Sequence, residues 1–411
     1  MNHKFEIKTS YKHLAKIISL IFIKRFKVEL KISDEIKNLE GPFILLSNHV
    51  GTYDPFLIGY PLKQAVHYVA SDAVFKDKIL GFFMRNLGAI PKKKNVRDTT
   101  LIRDILTVIK RGEPVGLFPE GTRSWTGNTL PFDPSIVKLL RLLKVPVVTA
   151  KIKGMSLFNP RWGYLPRSTS KTEIEYEIAL SKEDFKNLSE NEIWKRLNTS
   201  IFHNEIEFQK ENQIKIKSNK RAEFIDHVLF LCPKCNSIGS MTSEGNECTC
   251  SKCGYEIHVN EFGFFENTEE NLYFDNISNW YEWQEKELLN LTLERLSTKS
   301  TDVIFEDKNM KIYKANSKHK FELLGKADIK FHIDRMEIDF DNGDKKIMYL
   351  DKLQTINPQL RERIELIYEN NDYRFVGSKP GVSGIKYDVA ANAVWKFIGQ
   401  EFKLSPYIIQ N

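Results

Sequence analysis

The chain has 411 residues, 41% of them hydrophobic and 28% charged, which excludes collagen-like, mucin-like and wholly disordered chains and leaves material for two or three domains. The net charge of +7 is unevenly spread: residues 1–200 hold 33 Lys and Arg against 20 Asp and Glu, and the rest of the chain holds 28 against 34. A basic front half points to an anionic partner such as a phosphate-bearing substrate, a lipid headgroup or nucleic acid, although a solvated basic surface gives the same sum.

The N-terminus lacks the pattern of a signal peptide, so a cytoplasmic protein is expected, at most lying on a membrane. The apolar run at residues 14–23 is interrupted by Lys16 and ends at Lys24 and Arg25. It is half of the roughly 20 residues that a membrane span requires. Between residues 41 and 200, short apolar runs alternate with helical spacing. Residues 43–46, 66–70, 115–118 and 145–148 read as strands. Asp54-Pro55 reads as a helix cap with proline in the first turn. Leu101, Ile105, Val108 and Ile109 mark a helix closed by Gly112, and Asp133-Pro134 opens another that runs to Leu143. This alternation predicts an α/β fold, with helices packed on the faces of a mixed sheet.

Residues 203–222 are rich in Lys, Glu, Asn and Gln and read as a late helix fraying into a linker. All five cysteines follow, between Cys232 and Cys253. From Glu261 onward strands and hairpins are expected. Met336, Ile338 and Phe340 alternate with charges ahead of Asn342-Gly343, and Ile364, Leu366 and Tyr368 run into Asn370-Asn371 and out through Tyr373 and Phe375. Residues 390–398 read as a closing helix. The expected domains are therefore 1–215, 228–260 and a β-rich 261–411.

Two motifs carry chemistry. His49 stands where an apolar strand ends and Asp54 where a helix begins, places where an α/β sheet exposes functional side chains. Taken alone, the pair reads first as Asp54 capping its helix. Phe118-Pro119-Glu120-Gly121-Thr122-Arg123-Ser124 directly follows another strand. Its Pro and Gly fix a turn from which Glu120 and Arg123 project, and Arg123 offers a planar fork suited to phosphate. A surface Glu–Arg pair on an ordinary turn is the alternative reading.

Together, Asn48-His49, Asp54 and the seven-residue block resemble the glycerolipid acyltransferase family, best known from bacterial 1-acylglycerol-3-phosphate acyltransferases, over roughly residues 40–200. The resemblance implies an acyltransferase domain in which His49 deprotonates the acceptor hydroxyl and Asp54 orients the imidazole. It assigns Glu120, Gly121, Thr122 and Arg123 to holding a glycerol phosphate. Relatives carry an arginine after a Gly-x-Ile block; here Gly88-Ala89-Ile90-Pro91 leads into Lys92-Lys93-Lys94, so Lys94 takes that place and offers a point charge instead of a fork. The implied reaction moves a fatty acyl group from acyl-CoA or acyl carrier protein to lysophosphatidic acid. Another lysophospholipid or lipid-linked alcohol as acceptor, or a non-catalytic lipid-binding scaffold, are the alternatives. Such transfer needs a base at the hydroxyl and a donor to the developing oxyanion, but no nucleophilic Ser or Cys. In that light the apolar run at 14–23, flanked by Lys12, Lys16, Lys24, Arg25 and Lys27, either rests in anionic headgroups at the inner face of the cell membrane or packs on the sheet.

Cys232-Pro-Lys-Cys235 and Cys250-Ser-Lys-Cys253, fourteen residues apart, predict a zinc ribbon with one structural zinc per chain. Cys248 is a spare. Lys234 and Lys252 stand against Glu244, Glu247 and Glu256, so no nucleic-acid partner is expected. The hairpins and the helix bearing Trp395 look somewhat like a pleckstrin-homology-type barrel closed by a helix.

Overall fold

The computed structural model describes residues 4–92, 99–163, 167–168, 171–267, 271–317, 319–359, 363–377 and 382–404. They divide into two compact units, residues 1–161 with 168–214, and residues 162–167 with 215–411.

In the first unit seven strands form one sheet: β1 (Val28–Lys31), β2 (Ile44–Ser47), β3 (His67–Ser71), β4 (Ile90–Lys92), β5 (Val115–Leu117), β6 (Val147–Lys153) and β7 (Thr172–Leu180). Their order is β1-β7-β6-β2-β5-β3-β4. The run from β6 to β4 is parallel and β7 is antiparallel to β6, which makes the sheet mixed as expected. The short apolar runs arise because the central strands are covered on both faces. Ile44 and Leu46 pack in one layer with Val115, Leu117 and Val147 under the helices Thr99–Lys110, Ile136–Leu143 and Glu190–Ile201. Phe43 and Leu45 pack in the opposite layer with Phe26, Leu57, Val148, Ile152 and Phe158. Each fully buried aliphatic side chain of β2 contributes about 1.5–3 kcal/mol.

The apolar run at 14–23 lies within the helix Thr9–Arg25, which packs Phe22 inward, followed by the buried cap residue Phe26, and leaves Leu14, Ile17, Leu20 and Ile21 exposed. A second short helix, Lys78–Asn86, exposes Ile79, Leu80, Phe82 and Phe83, and Tyr11 meets the rings of Phe82 and Phe83 edge-on. Among the described residues no helix is long and apolar enough to cross a membrane.

Residues 203–222 depart from the expected fraying linker. Asn204 caps a helix at Glu205–Asn212, and Glu205, Phe208, Gln209, Ile214 and Ile216 are buried. The polar composition misleads because Gln209 turns inward, where its side chain bonds both the N–H and the C=O of Ile214.

In the second unit β8 (Met241–Glu244), β9 (Glu247–Cys250), β10 (Glu256–Val259) and β11 (Phe265–Glu266) form a small antiparallel sheet. Where strands and hairpins were expected from Glu261 up to the closing helix, residues Ile277–Ser297 form a 21-residue helix capped by Asn276. Trp280, Gln284, Leu288 and Thr292 recur on its buried side at helical spacing. Gln284 accepts the N–H groups of Phe230 and Leu231 and donates to Val228 O, and Trp280 Nε1 donates to Leu231 O, so the helix is bonded to the segment that leads into the cysteines.

Seven more strands follow: β12 (Phe305–Ala315), β13 (Phe321–Phe331), β14 (Arg335–Phe340), β15 (Lys345–Tyr349), β16 (Leu353–Pro358), β17 (Arg363–Tyr368) and β18 (Asn371–Val376). They pair antiparallel in the order β15-β14-β13-β12-β18-β17-β16. The β17–β18 turn falls one residue earlier than the Asn-Asn pair suggested. Glu369 and Asn370 adopt φ of 48° and 62°, while Asn371 already pairs with Tyr368. The helix Ile385–Phe397 closes this sheet, with Trp395 Nε1 donating to Leu350 O.

Candidate active site

β2 and β5 are parallel neighbours, so the loops at their carboxyl ends meet at one edge of the sheet. Beyond β2, the Asn48 side chain donates to Ile152 O at 2.9 Å and accepts the Ile152 N–H at 2.8 Å, pairing with β6 as a strand residue would. His49 is thereby held at the lip of the sheet. Its imidazole stacks on Phe118, with 4.1 Å between centroids and 22° between planes, and its Nδ1 bonds Asp54 Oδ2 at 2.8 Å. Asp54 is fully buried whereas 21% of the His49 side chain is exposed, and Nε2 is the ring nitrogen that Asp54 leaves unengaged.

Asp54 does not cap its helix. The helix Asp54–Gly59 starts with it, and its carboxylate turns back over the preceding loop, accepting Val50 N–H at 2.8 Å and Gly51 N–H at 3.0 and 2.9 Å through its two oxygens. One carboxylate therefore fixes both the His49 ring and the backbone that carries it.

Glu120 does not project from its turn either. It is 1% exposed; Oε1 accepts the His49 N–H at 2.6 Å and Oε2 accepts the Leu130 N–H at 2.7 Å. Gly121, at φ +70°, reverses the chain just after Glu120 and leaves its side chain among these loop amides. The Ser124 N–H donates to His49 O at 2.9 Å, so segment 120–124 holds both backbone polar groups of His49. Burial pushes the Glu120 carboxyl up to about 8, against the pull of the two amides.

Arg123 Nη1 donates to Thr52 Oγ1 at 2.9 Å, joining the two loops a second time. Thr122 Oγ1 accepts from Arg161 Nη1 at 3.2 Å, and Gly121 closes the turn by donating to Phe118 O at 3.0 Å. Lys94 lies outside the described residues. Burial lowers the pKa of His49 below its ordinary 6.5; Asp54 pulls it up, and the charges of Arg123 and Arg161 press it further down. The site thus holds an imidazole kept toward its neutral form and fixed at Nδ1, under the influence of two guanidinium charges.

The Acyltransferase family model matches residues 12–153, a span that contains His49, Asp54, Glu120 and Arg123. Over this span the chain is similar to the glycerolipid acyltransferases, as its motifs implied. Over 147 residues the chain is 29% identical to the 1-acyl-sn-glycerol-3-phosphate acyltransferase of Bacillus subtilis (strain 168), covering 36% of this chain and 72% of that protein. It is 28% identical over 146 residues to the Saccharomyces cerevisiae protein of the same name, covering 34% of this chain and 48% of that one. The crystal structure of the 1-acyl-sn-glycerophosphate acyltransferase PlsC from Thermotoga maritima aligns with 46% of this chain and 78% of its own, at 22% identity and a TM-score of 0.39. The domain is an enzyme of the acyltransferase type.

Sequence reasoning missed the supports of this acyltransferase site beyond residue 153. His203 Nε2 bonds Glu205 Oε2, and Glu205 also accepts Gly154 N–H at 2.9 Å, Ser156 N–H at 3.1 Å and Ser156 Oγ–H at 2.6 Å. Burial works to raise the Glu205 carboxyl, but His203 and these donors leave it below the ordinary value. Thr129 N–H donates to His203 O at 3.0 Å, and Glu205 N–H to Asn128 Oδ1 at 2.8 Å. The loop that carries Leu130 is thus fastened to residues 203–205. The one available signal was a histidine two residues from a glutamate, set just before Ile206 and Phe208 in a segment whose overall polarity hid it.

In the second unit the Sγ atoms of Cys232, Cys235, Cys250 and Cys253 all lie within 4.8 Å of one another, with Cys232–Cys253 at 3.6 Å and Cys235–Cys250 at 3.8 Å. Sulfurs at about 2.3 Å from a tetrahedral zinc stand about 3.8 Å apart, so this donor set fits that ion. Cys248 is fully buried and is not one of the four.

The raised Glu120 carboxyl makes the fold pH-sensitive. Its folded pKa of about 8 exceeds the ordinary 4.5, so its contribution is complete below pH 4.5 and is lost as the pH rises toward 8. Glutamine cannot titrate. The difference in melting temperature between wild type and Glu120→Gln should therefore shrink between pH 5 and pH 8; a constant difference would mean that burial does not protonate this carboxyl.

Proposed function

We propose that the chain transfers a fatty acyl group from an acyl-CoA or acyl-carrier-protein thioester to the free hydroxyl of a lysophosphatidic-acid-like acceptor, yielding phosphatidic acid for phospholipid synthesis. The observation that carries this reading is the His49–Asp54 pair, which leaves Nε2 unengaged by Asp54, on a loop that Arg123 joins through Thr52. The names of the bacterial and yeast relatives support the acceptor.

In this reading His49 Nε2 takes the acceptor hydroxyl proton while the oxygen attacks the thioester carbonyl. The carbon–sulfur bond then breaks, and the departing thiolate recovers the proton from the imidazolium. Asp54 keeps Nδ1 protonated and stabilises the imidazolium as it forms. Arg123 holds the acceptor phosphate, and Thr122 and Lys94 belong to the same binding group. Glu120 acts on the backbone of His49 instead of on the ligand. Because His49 titrates below 6.5, the acid limb of kcat/KM should fall below that pH. His49→Ala should lower turnover by about 10²–10⁴-fold with little change in melting temperature, measured by acyl transfer in detergent. Near wild-type rates in that variant would overturn the mechanism, and a lysophospholipid of another headgroup or a lipid-linked alcohol as better substrate would move the acceptor.

Four thiolates around one zinc leave no open position, so the metal would hold the ribbon together and take no part in transfer. Elemental analysis should find close to one zinc per chain, lost in Cys235→Ser together with thermal stability of the second unit. A metal-free native preparation would sink this assignment. The seven-stranded antiparallel sheet closed by a C-terminal helix supports reading residues 305–397 as pleckstrin-homology-like.

The exposed leucine and isoleucine side chains of the helix Thr9–Arg25, with those of Lys78–Asn86, support peripheral attachment to an anionic membrane surface at the inner face of the cell membrane. Flotation with phosphatidylglycerol-containing vesicles should retain the wild type and lose Ile17→Asp/Ile21→Asp; equal binding would assign attachment to another part of the chain.

A further inference from the structure

Arg161 lies beyond the matched family span, yet it is built into the site. β6 ends at Lys153, and a single turn at Met155–Phe158 follows, its start fixed by Glu205 through Gly154 and Ser156. The chain then passes the His49 loop closely: a Cβ at Gly51 would stand 3.1 Å from Asn159 Nδ2. Two residues on, the Arg161 guanidinium lies 3.6 Å from the centroid of the Trp125 ring and donates through Nη1 to Thr122 Oγ1 and to Arg123 O. Both Arg161 and Trp125 are buried.

We propose that Arg161 is a positioning residue for acyl transfer: by gripping Thr122 and the Arg123 carbonyl it aims the Arg123 guanidinium, and as a second fixed cation it biases the site toward acceptors whose headgroup is a doubly charged phosphomonoester. The stack on Trp125 holds the planar fork in one orientation, which a lysine ammonium cannot reproduce. The backbone that Arg161 grips is the segment that holds His49, since Ser124 N–H bonds His49 O. The charged groups around the His49 ring are Asp54, Arg123 and Arg161, with Glu120 bonded to its backbone. Removing Arg161 leaves Asp54 opposed by one guanidinium instead of two, so the imidazole should become easier to protonate. The acceptor bias rests on the function proposed above; the effect on His49 does not.

The test compares Arg161→Gln and Arg161→Lys with wild type in the full chain, using lysophosphatidic acid and the singly charged diester lysophosphatidylglycerol as acceptors. The His49 titration is followed separately by NMR of histidine-labelled protein, assigned with His49→Gln. Arg161→Gln should lower kcat/KM for the phosphomonoester by roughly ten- to a hundredfold, the worth of a charge-assisted hydrogen bond, and lower it less for the diester. In the same variant the His49 titration should move to higher pH. Arg161→Lys should leave that titration near wild type while still losing activity, since it keeps the charge and loses the fork. Equal losses for both acceptors together with an unmoved His49 titration would reduce Arg161 to a packing residue and overturn the proposal. If wild type uses neither acceptor, the function reading fails. The positioning claim then stands or falls on the NMR titration.

Discussion

The site depends on one buried carboxyl. Glu120 accepts a hydrogen bond from the His49 backbone with one oxygen and from Leu130 with the other. Two buried amides without acceptors would each cost about 1–3 kcal/mol, so the loops after β2 and β5 are kept together by the demand that their own backbone be satisfied. A carboxyl in that place is itself destabilised by burial, as its rise to about 8 shows. The strain is tolerated because a single group fixes the position of the imidazole relative to Arg123.

Around that bridge the supports are layered. Asp54 fixes the ring and turn of His49, Asn48 fixes the turn to β6, and the His203–Glu205 pair fixes the far side of the loop that carries Leu130. None of these groups needs to touch a substrate. In the proposed reaction, preorganisation of this kind would let His49 and Arg123 meet a reacting hydroxyl without rearrangement.

The α/β fold was legible because β2, β5 and β6 are buried on both faces, which forces continuous apolar runs that survive in any reading of the chain. His49, Asp54 and Arg123 were legible as a spacing. The role of Glu120 was not, because whether a turn carboxylate points outward or inward depends on where distant amides such as that of Leu130 end up. The helix Ile277–Ser297 was hidden by an aromatic-rich start, Trp280-Tyr281 and Trp283, that suits a strand as well as a buried helix face. Residues 203–214 were hidden by polar side chains whose partners lie within their own buried turn or far away in the sequence, and composition cannot show either.

The fastening of the loop that carries Leu130 to residues 203–205 bears on how the protein is made. A chain leaves the ribosome from its N-terminus, and Asn48 and His49 emerge well before Ile152, the partner of Asn48 more than a hundred residues downstream. The edge strand β1 waits longer still, since Val28 pairs with Thr172. Until residue 205 has cleared the exit tunnel, the loop that carries Leu130 has no anchor and the strands at the sheet edge stay open to wrong partners. A nascent chain of this protein is therefore exposed for most of the synthesis of its first unit, with the greasy helix Thr9–Arg25 already outside.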